Sequence, residues 1–138
     1  LFILGILKFV CYTFYNMKIL LVEDDKFLRV LLEKRLKTEG FEVDIAVDGE
    51  EAVSKTTSFT PDLILLDIIL PKKSGFTFLE EIQKDENLKK INVVILSNLG
   101  QSEDIEKGKQ LGAIDYFVKA STSIEELVRK IKEIGEKI

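Results

Sequence analysis

Polar and charged side chains stand at the ends of short apolar runs in this sequence. In chain order they are Glu23, Asp24, Asp25, Asp67, Ser97 and Lys119. Taken singly, each has an ordinary structural explanation, as a helix cap, a loop acid, a turn residue or an exposed charge. Short apolar runs are typical of strands buried on both faces, and the carboxyl ends of parallel strands share one edge of a sheet. We therefore expect these side chains to meet at one edge and form a site.

The types of these side chains favour phosphoryl transfer assisted by magnesium. Converging carboxylates repel one another unless a cation lies among them. The chain has no histidine and a single cysteine, Cys11, so the ligands at this edge are oxygens, which suit Mg²⁺. Asp67, at the centre, is then both a ligand and a nucleophile toward phosphorus, giving an aspartyl phosphate. Lys119 supplies positive charge to one phosphoryl oxygen, and the Ser97 hydroxyl hydrogen-bonds another.

Strands and helices that alternate after residue 16 position these groups. Strands are predicted at 18–22, 41–46, 62–67, 92–96 and 114–118. Helices are predicted at 26–39, 49–57, 76–84, 102–111 and from 124 onward. Asp48 and Ser123 are predicted helix N-caps, because each is followed by glutamate three residues later. The repeated strand–helix units predict an α/β fold, a doubly wound five-stranded parallel sheet with helices on both faces.

The composition is that of one compact domain. The chain has 138 residues, of which 46% are hydrophobic and 32% charged, and its net charge is −4. Because no run of basic residues stands out in the sequence, we expect no nucleic-acid partner. The absence of histidine excludes histidine-based acid–base catalysis, and a single cysteine excludes an internal disulfide and a cysteine-pair zinc site.

The first sixteen residues, LFILGILKFVCYTFYN, differ from the rest because they are nearly all apolar, with the single charge of Lys8. The segment is shorter than a spanning helix, which needs about 20 residues, and it lacks the features of a signal peptide. Met17, the only methionine, directly precedes the first strand. We therefore expect residues 1–16 to be an artefact of start-site assignment. A membrane-proximal anchor and an accessory helix stay open as alternatives, and no membrane partner is expected for 17–138.

The motifs MKILLVEDD, LILLD with a following LP, the serine after strand four, and DYFVK together resemble the receiver domain of two-component response regulators. The resemblance covers residues 17–138, and the spacings between the motifs also match. It implies a flavodoxin-like sheet of order 2-1-3-4-5, with Asp67 as the phosphoacceptor. Asp24 would bind Mg²⁺ directly, Glu23 through water, and Ile69 through its backbone carbonyl. Asp25 is expected at the N-terminus of helix one, where the helix dipole favours an acid.

The resemblance also implies a switch and its partners. Tyr116 resembles an aromatic switch residue that turns inward when Ser97 moves toward the phosphoryl group. The face formed by helix four, strand five and helix five would then control an unidentified downstream protein or form a phosphorylation-dependent homodimer. The phosphodonor would be a sensor histidine kinase or a phosphotransfer protein. The expected protein is a cytoplasmic, stand-alone receiver, which assists its own phosphorylation and dephosphorylation and is not an enzyme.

The sequence departs from the family pattern at two positions that bear on the switch. The proline that usually follows the lysine is Ala120 here, so a cis Lys119–Ala120 peptide bond would lack proline's help. Gly108 falls within helix four, where glycine costs about 1 kcal/mol relative to alanine. Helix four should therefore be easy to remodel.

Three other classes of protein are alternatives to a phosphorylated receiver. A phosphatase using an aspartyl phosphate needs an acid two residues after the nucleophile, where this chain has Ile69. A flavin-binding module needs a phosphate loop after strand one, where the acidic run that begins at Glu23 would repel phosphate. A degenerate receiver that acts as a phosphorylation-independent interaction module should have lost acids or the lysine, and all are present. The degenerate receiver stays as the alternative hypothesis to a phosphorylated receiver.

Overall fold

Strands and helices alternate throughout residues 17–138, the part of the chain that the computed structural model describes. The prediction that residues 1–16 are an artefact of start-site assignment concerns a segment outside this part. The strands are β1 (Lys18–Val22), β2 (Glu42–Ala46), β3 (Leu63–Leu66), β4 (Asn92–Ser97) and β5 (Asp115–Val118). The helices are α1 (Lys26–Thr38), α2 (Gly49–Phe59), α3 (Gly75–Gln83), α4 (Ser102–Gln110) and α5 (Ile124–Lys137). None of these helices combines the length and apolar character that crossing a membrane requires.

All five strands form one parallel sheet in the order β2-β1-β3-β4-β5. The predicted fold class and strand order are therefore confirmed. β1 and β3 are neighbours in the middle of the sheet, and Val22 at the end of β1 pairs with Leu66 at the end of β3. The residues that follow these two strands consequently emerge side by side.

Two apolar layers hold the helices on the two faces of the sheet. On one face, alternate strand residues such as Leu21 and Leu65 pack with α1 and α5, which contribute Leu32 and Leu127. On the other face, the intervening strand residues pack with α2, α3 and α4; Phe78 of α3 is fully buried there. Because β3 is buried on both faces, its four residues are all apolar and a charged side chain fits only beyond its end.

Side-chain caps define where most helices begin. Asp25, Asp48 and Ser123 accept hydrogen bonds from the backbone N–H three residues later, at 2.9, 2.8 and 3.1 Å. The predictions for these three residues are confirmed. Ser74 caps α3 in the same way at 3.2 Å, which was not predicted because threonine, not an acid, stands three residues later.

Candidate functional site

Three acidic side chains converge where β1 and β3 end. The backbone N–H of Asp67 donates to the Val22 carbonyl at 3.0 Å, so Asp67 continues the ladder by one residue beyond β3. Carboxylate oxygens of Glu23, Asp24 and Asp67 lie within 4.8 Å of one another. Glu23 and Asp67 are 1% and 5% exposed, whereas Asp24 faces solvent. The structure thus brings the three acids together at one sheet edge.

Lys119 bridges two of these acids. Its Nζ donates to Asp67 Oδ2 and lies beside Glu23 Oε1, both at 2.7 Å, and its side chain is 16% exposed. Burial raises the pKa of Glu23. Burial acts to lower the pKa of Lys119, but its hydrogen bonds to Asp67 and Glu23 outweigh this effect and raise the pKa above its usual value. The ammonium therefore stays charged and offsets part of the repulsion among the carboxylates.

Ser97 and Tyr116 are connected through the backbone of Leu99. Ser97 is fully buried at the end of β4, and its Oγ accepts from the Leu99 N–H at 3.3 Å. The Tyr116 hydroxyl donates to the Leu99 carbonyl at 2.5 Å, and the residue is only 8% exposed. Burial, with the negative charge of Asp104, raises the pKa of the Tyr116 hydroxyl. The Tyr116 ring is therefore directed into the protein rather than lying on the surface.

A missing side chain in α4 makes room for that ring. A Cβ atom on Gly108 would lie 2.6 Å from Ile95 Cδ1 and 3.0 Å from Tyr116 Cδ2. Real Cβ atoms essentially never show the first of these distances, and the second is tighter than most, so Gly108 allows α4 to pack directly against Ile95 and the Tyr116 ring.

The β3–α3 loop supports Asp67 from the other side. The Ile69 N–H donates to Asp67 Oδ1 at 3.2 Å, while the Ile69 side chain is 55% exposed. The Gly75 N–H donates to the Ile68 carbonyl at 2.8 Å, and a Cβ on Gly75 would lie 2.5 Å from the Asp67 carbonyl oxygen. The first residue of α3 thus fits tightly against the backbone that carries Asp67.

Contacts made by two long side chains of the site, Lys119 and Arg29, were not predicted from the sequence. The pairing of Lys119 with Glu23 was not predicted, nor were the hydrogen bonds from Arg29 to the backbone carbonyls of Glu23 and Asp24. The only signal for the Arg29 hydrogen bonds was an arginine near the start of a helix that follows an acidic run, and this signal is not specific.

The Lys119–Ala120 peptide bond is trans, as are the other peptide bonds of the residues described.

The donor set fits a hard divalent cation. All three acids offer oxygen ligands, and the exposed position of Asp24 leaves space for the waters that Mg²⁺ keeps. A soft metal would want thiolate or imidazole ligands, which this edge of the sheet does not offer.

Comparison with known proteins agrees with this fold. The family described as the response regulator receiver domain matches residues 19–132. The receiver domain of the Francisella response regulator 1452 aligns with a TM-score of 0.82 and 29% identity, covering 88% of this chain and 98% of that one. The Mn²⁺-bound form of the response regulator Rcp1 aligns with a TM-score of 0.73 and 34% identity, covering 86% and 91%.

A curated relative is longer than this chain. The DNA-binding dual master transcriptional regulator RpaA of Synechocystis sp. is 35% identical over 117 residues, which are 85% of this chain and 48% of RpaA. The chain thus spans about half of that relative's length. Because this relative is named as DNA-binding, the comparisons lend no support to the expectation that the chain has no nucleic-acid partner. The family match and the fold together show that the chain belongs to the response regulator receiver domains.

Proposed function

We propose that this chain accepts a phosphoryl group on Asp67 from the phosphohistidine of a sensor histidine kinase or phosphotransfer protein, in a Mg²⁺-dependent reaction. The observation that carries the proposal is the buried Asp67 carboxylate, which lies beside Glu23 and Asp24 and 2.7 Å from Lys119. Family membership supports it, because receiver domains are signalling domains that take phosphate from histidine kinases. The proposed location is the cytoplasm, and the proposed receiver domain is residues 17–138.

The transfer needs positioning and charge compensation more than acid–base chemistry. An oxygen of the Asp67 carboxylate attacks the phosphorus, the P–N bond breaks, and its electron pair leaves with the imidazole nitrogen. Lys119 already contacts Asp67 Oδ2, so its ammonium is within reach of a phosphoryl oxygen on the same carboxylate. Mg²⁺ held by Asp24, Asp67 and the Ile69 carbonyl, with Glu23 acting through water, would neutralise charge on the phosphoryl oxygens.

The surface beside the site suits a protein donor. Phe27, Val30 and Leu31 on α1 are 81%, 54% and 40% exposed, which is unusual for large apolar side chains lying so close together. α1 begins directly after the acidic run, so a donor helix packed on these residues would lie next to Asp67. This placement favours transfer from a kinase or phosphotransfer protein over transfer from a small metabolite alone.

The response is proposed to pass from Ser97 to Tyr116. When the Ser97 hydroxyl donates to a phosphoryl oxygen and moves toward it, the loop that carries Leu99 moves with it, because Ser97 Oγ accepts from the Leu99 N–H. The Leu99 carbonyl holds the Tyr116 hydroxyl, so a shift of this loop changes the packing of the tyrosine on β5. The face formed by α4, β5 and α5 would thereby gain or lose affinity for a downstream protein or for a second phosphorylated copy.

The test is the intact mass of the protein after incubation with acetyl phosphate, with and without Mg²⁺. We expect a single phosphoryl adduct on the unaltered chain that requires Mg²⁺ and is lost in Asp67→Asn. Asp85→Asn is the matched control, because Asp85 caps a turn outside the site and asparagine can still accept those hydrogen bonds. A folded, unaltered chain that forms no adduct would contradict the proposal and favour the phosphorylation-independent interaction module. Sedimentation of the adduct would show whether it dimerises.

A further inference from the structure

The backbone carbonyls of Glu23 and Asp24 share an unexpected partner. These residues lie in the turn between β1 and α1, beyond the last residue of the strand. Arg29, one turn into α1, reaches back so that its Nη1 donates to the Glu23 carbonyl at 3.2 Å and to the Asp24 carbonyl at 3.0 Å. One guanidinium nitrogen therefore binds the backbone of both acids that β1 delivers to the site.

The rest of the turn is tied to the same helix. The Asp25 side chain caps α1, and the Arg29 N–H donates to the Asp25 carbonyl at 2.9 Å. The Asp25 N–H donates to Glu23 Oε2 at 3.1 Å, which orients that carboxylate. The backbone of Arg29 is thus held in the first turn of α1, while its side chain binds the carbonyls of the β1–α1 turn. Carbonyls that accept from a cation are held more firmly than carbonyls that face water.

We infer that Arg29 is a positioning residue for the metal ligands, which holds the β1–α1 turn so that the Glu23 and Asp24 carboxylates converge with that of Asp67. The inference rests on the proposed Mg²⁺ site, but it concerns metal binding and not phosphoryl transfer. Groups that orient metal ligands from behind commonly change metal affinity tenfold or more when they are removed.

The sign of the effect separates positioning from electrostatics. Arg29 carries a positive charge near the site, and this charge repels a divalent cation through space. If charge were its main influence, removing it would tighten Mg²⁺ binding. If Arg29 positions the ligands, removing it loosens the turn and weakens Mg²⁺ binding. The two explanations therefore predict opposite changes in the dissociation constant.

The experiment is calorimetric titration of the full chain with Mg²⁺, with Arg29→Met as the main variant because methionine keeps an unbranched stem and a good helix propensity. We expect about tenfold weaker binding in Arg29→Met. Arg29→Lys should recover most of the affinity, because a single ammonium nitrogen can donate to both carbonyls. Arg129→Met is the matched control, since Arg129 on α5 contacts only Glu133 among the ion pairs described and is 63% exposed.

Thermal unfolding without Mg²⁺ shows whether a variant is folded at the titration temperature. Weaker binding by folded Arg29→Met, with Arg129→Met unchanged, supports the inference. Equal or tighter binding by Arg29→Met overturns it, whatever the unfolding midpoint. If the unaltered chain binds no Mg²⁺, the proposed metal site and the inference both fail. If it binds Mg²⁺ and Arg29→Met binds as well, only the inference fails.

Discussion

At the scale of single residues, Lys119 is the group on which the acidic site depends most. Three carboxylates and one ammonium leave two negative charges uncompensated within a small volume. Two of the carboxylates, those of Glu23 and Asp67, are almost fully buried. Charges removed from water are costly unless they are paired, so the free energy of unfolding should be sensitive to the loss of this lysine.

Replacing Lys119 by methionine should lower the free energy of unfolding by about 3 kcal/mol when Mg²⁺ is absent, because two buried carboxylates lose the ammonium that compensates their charge. Saturating Mg²⁺ should restore more stability in Lys119→Met than in the unaltered chain, since the metal then meets no competing ammonium. Chemical denaturation with and without Mg²⁺ measures both effects.

Lys89→Met is the matched control for this variant. Lys89 pairs with Glu86 on the surface, and such pairs contribute about 1 kcal/mol or less. Equal losses of stability in Lys89→Met and Lys119→Met would contradict the role given to Lys119.

The residue types at the sheet edge could be predicted from the sequence, but not all of their contacts. Asp67 and Ser97 follow apolar runs whose parallel alignment brings their ends together, so their placement depends only on the backbone. The contacts of Lys119 with Glu23 and of Arg29 with the turn depend on long side chains that can adopt many rotamers. The spacing of residues along the chain carries no information about which rotamer each side chain adopts.

At the scale of elements, α4 and β5 are linked by the contact between Gly108 and Tyr116. A glycine inside α4 should lower the intrinsic stability of that helix, and the structure shows a packing reason for its presence. The Ile95 side chain and the Tyr116 ring together fill the space that a side chain at position 108 would occupy. α4 and Tyr116 should therefore change position together.

Gly108→Ala should move the Tyr116 ring and break the hydrogen bond from its hydroxyl to Leu99. Because burial raises the pKa of Tyr116, moving the ring toward water should lower that pKa toward its usual value near 10. NMR of tyrosine-labelled protein across a pH series measures this pKa separately from those of the other two tyrosines. The exposed neighbour Lys109→Ala is the control, and an unchanged Tyr116 pKa in Gly108→Ala would contradict the coupling.

The ends of elements were less predictable than the elements themselves. β3 was expected to include Asp62, but the Asp62 side chain accepts from the Lys18 N–H at 2.8 Å and caps the start of β1 instead. Two short 3₁₀ turns, Leu88–Lys90 and Lys119–Ser121, were not predicted. Turns of three residues are too short to produce a periodic pattern of apolar residues.

At the scale of the whole molecule, an ionic network joins α1 to α5 on one side of the sheet. Arg35 donates to both carboxylate oxygens of Glu125 at 2.6 and 2.7 Å, and its Nε donates to Glu39 at 3.0 Å. Lys132 lies 2.5 Å from Glu39. Because α1 and α5 are far apart in the sequence, the network joins a helix near the start of the described domain to the helix near its end.

The network should make stability depend on pH. Hydrogen bonds from Lys132 and Arg35 lower the pKa of Glu39 below its ordinary value of 4.5. A lowered pKa means that the stabilisation is fully present above 4.5 and is lost as the pH falls through the lower value in the folded protein. Glu39→Gln should therefore be less stable than the unaltered chain at neutral pH, by up to about 1 kcal/mol, and the difference should shrink in acid.

Denaturation at a series of pH values measures this difference. Glu86→Gln serves as the control, because Glu86 is a largely exposed acid outside the contact between α1 and α5. A stability difference between Glu39→Gln and the unaltered chain that stays constant from neutral pH to pH about 3 would contradict the linkage.

The close fit of Gly75 against the Asp67 backbone restricts how the sequence of this loop can drift during evolution. The ion pairs of Lys72 with Asp48 and of Lys73 with Glu81 are made by flexible side chains that can be exchanged or rearranged. Any side chain at Gly75 would press on the strand end that presents Asp67. Substitutions of the lysines can therefore change the charge of the loop, and with it the preference for a partner. The glycine that begins α3 cannot be replaced in the same way. The position where any side chain would clash with the backbone of Asp67 is therefore one that carries no functional group.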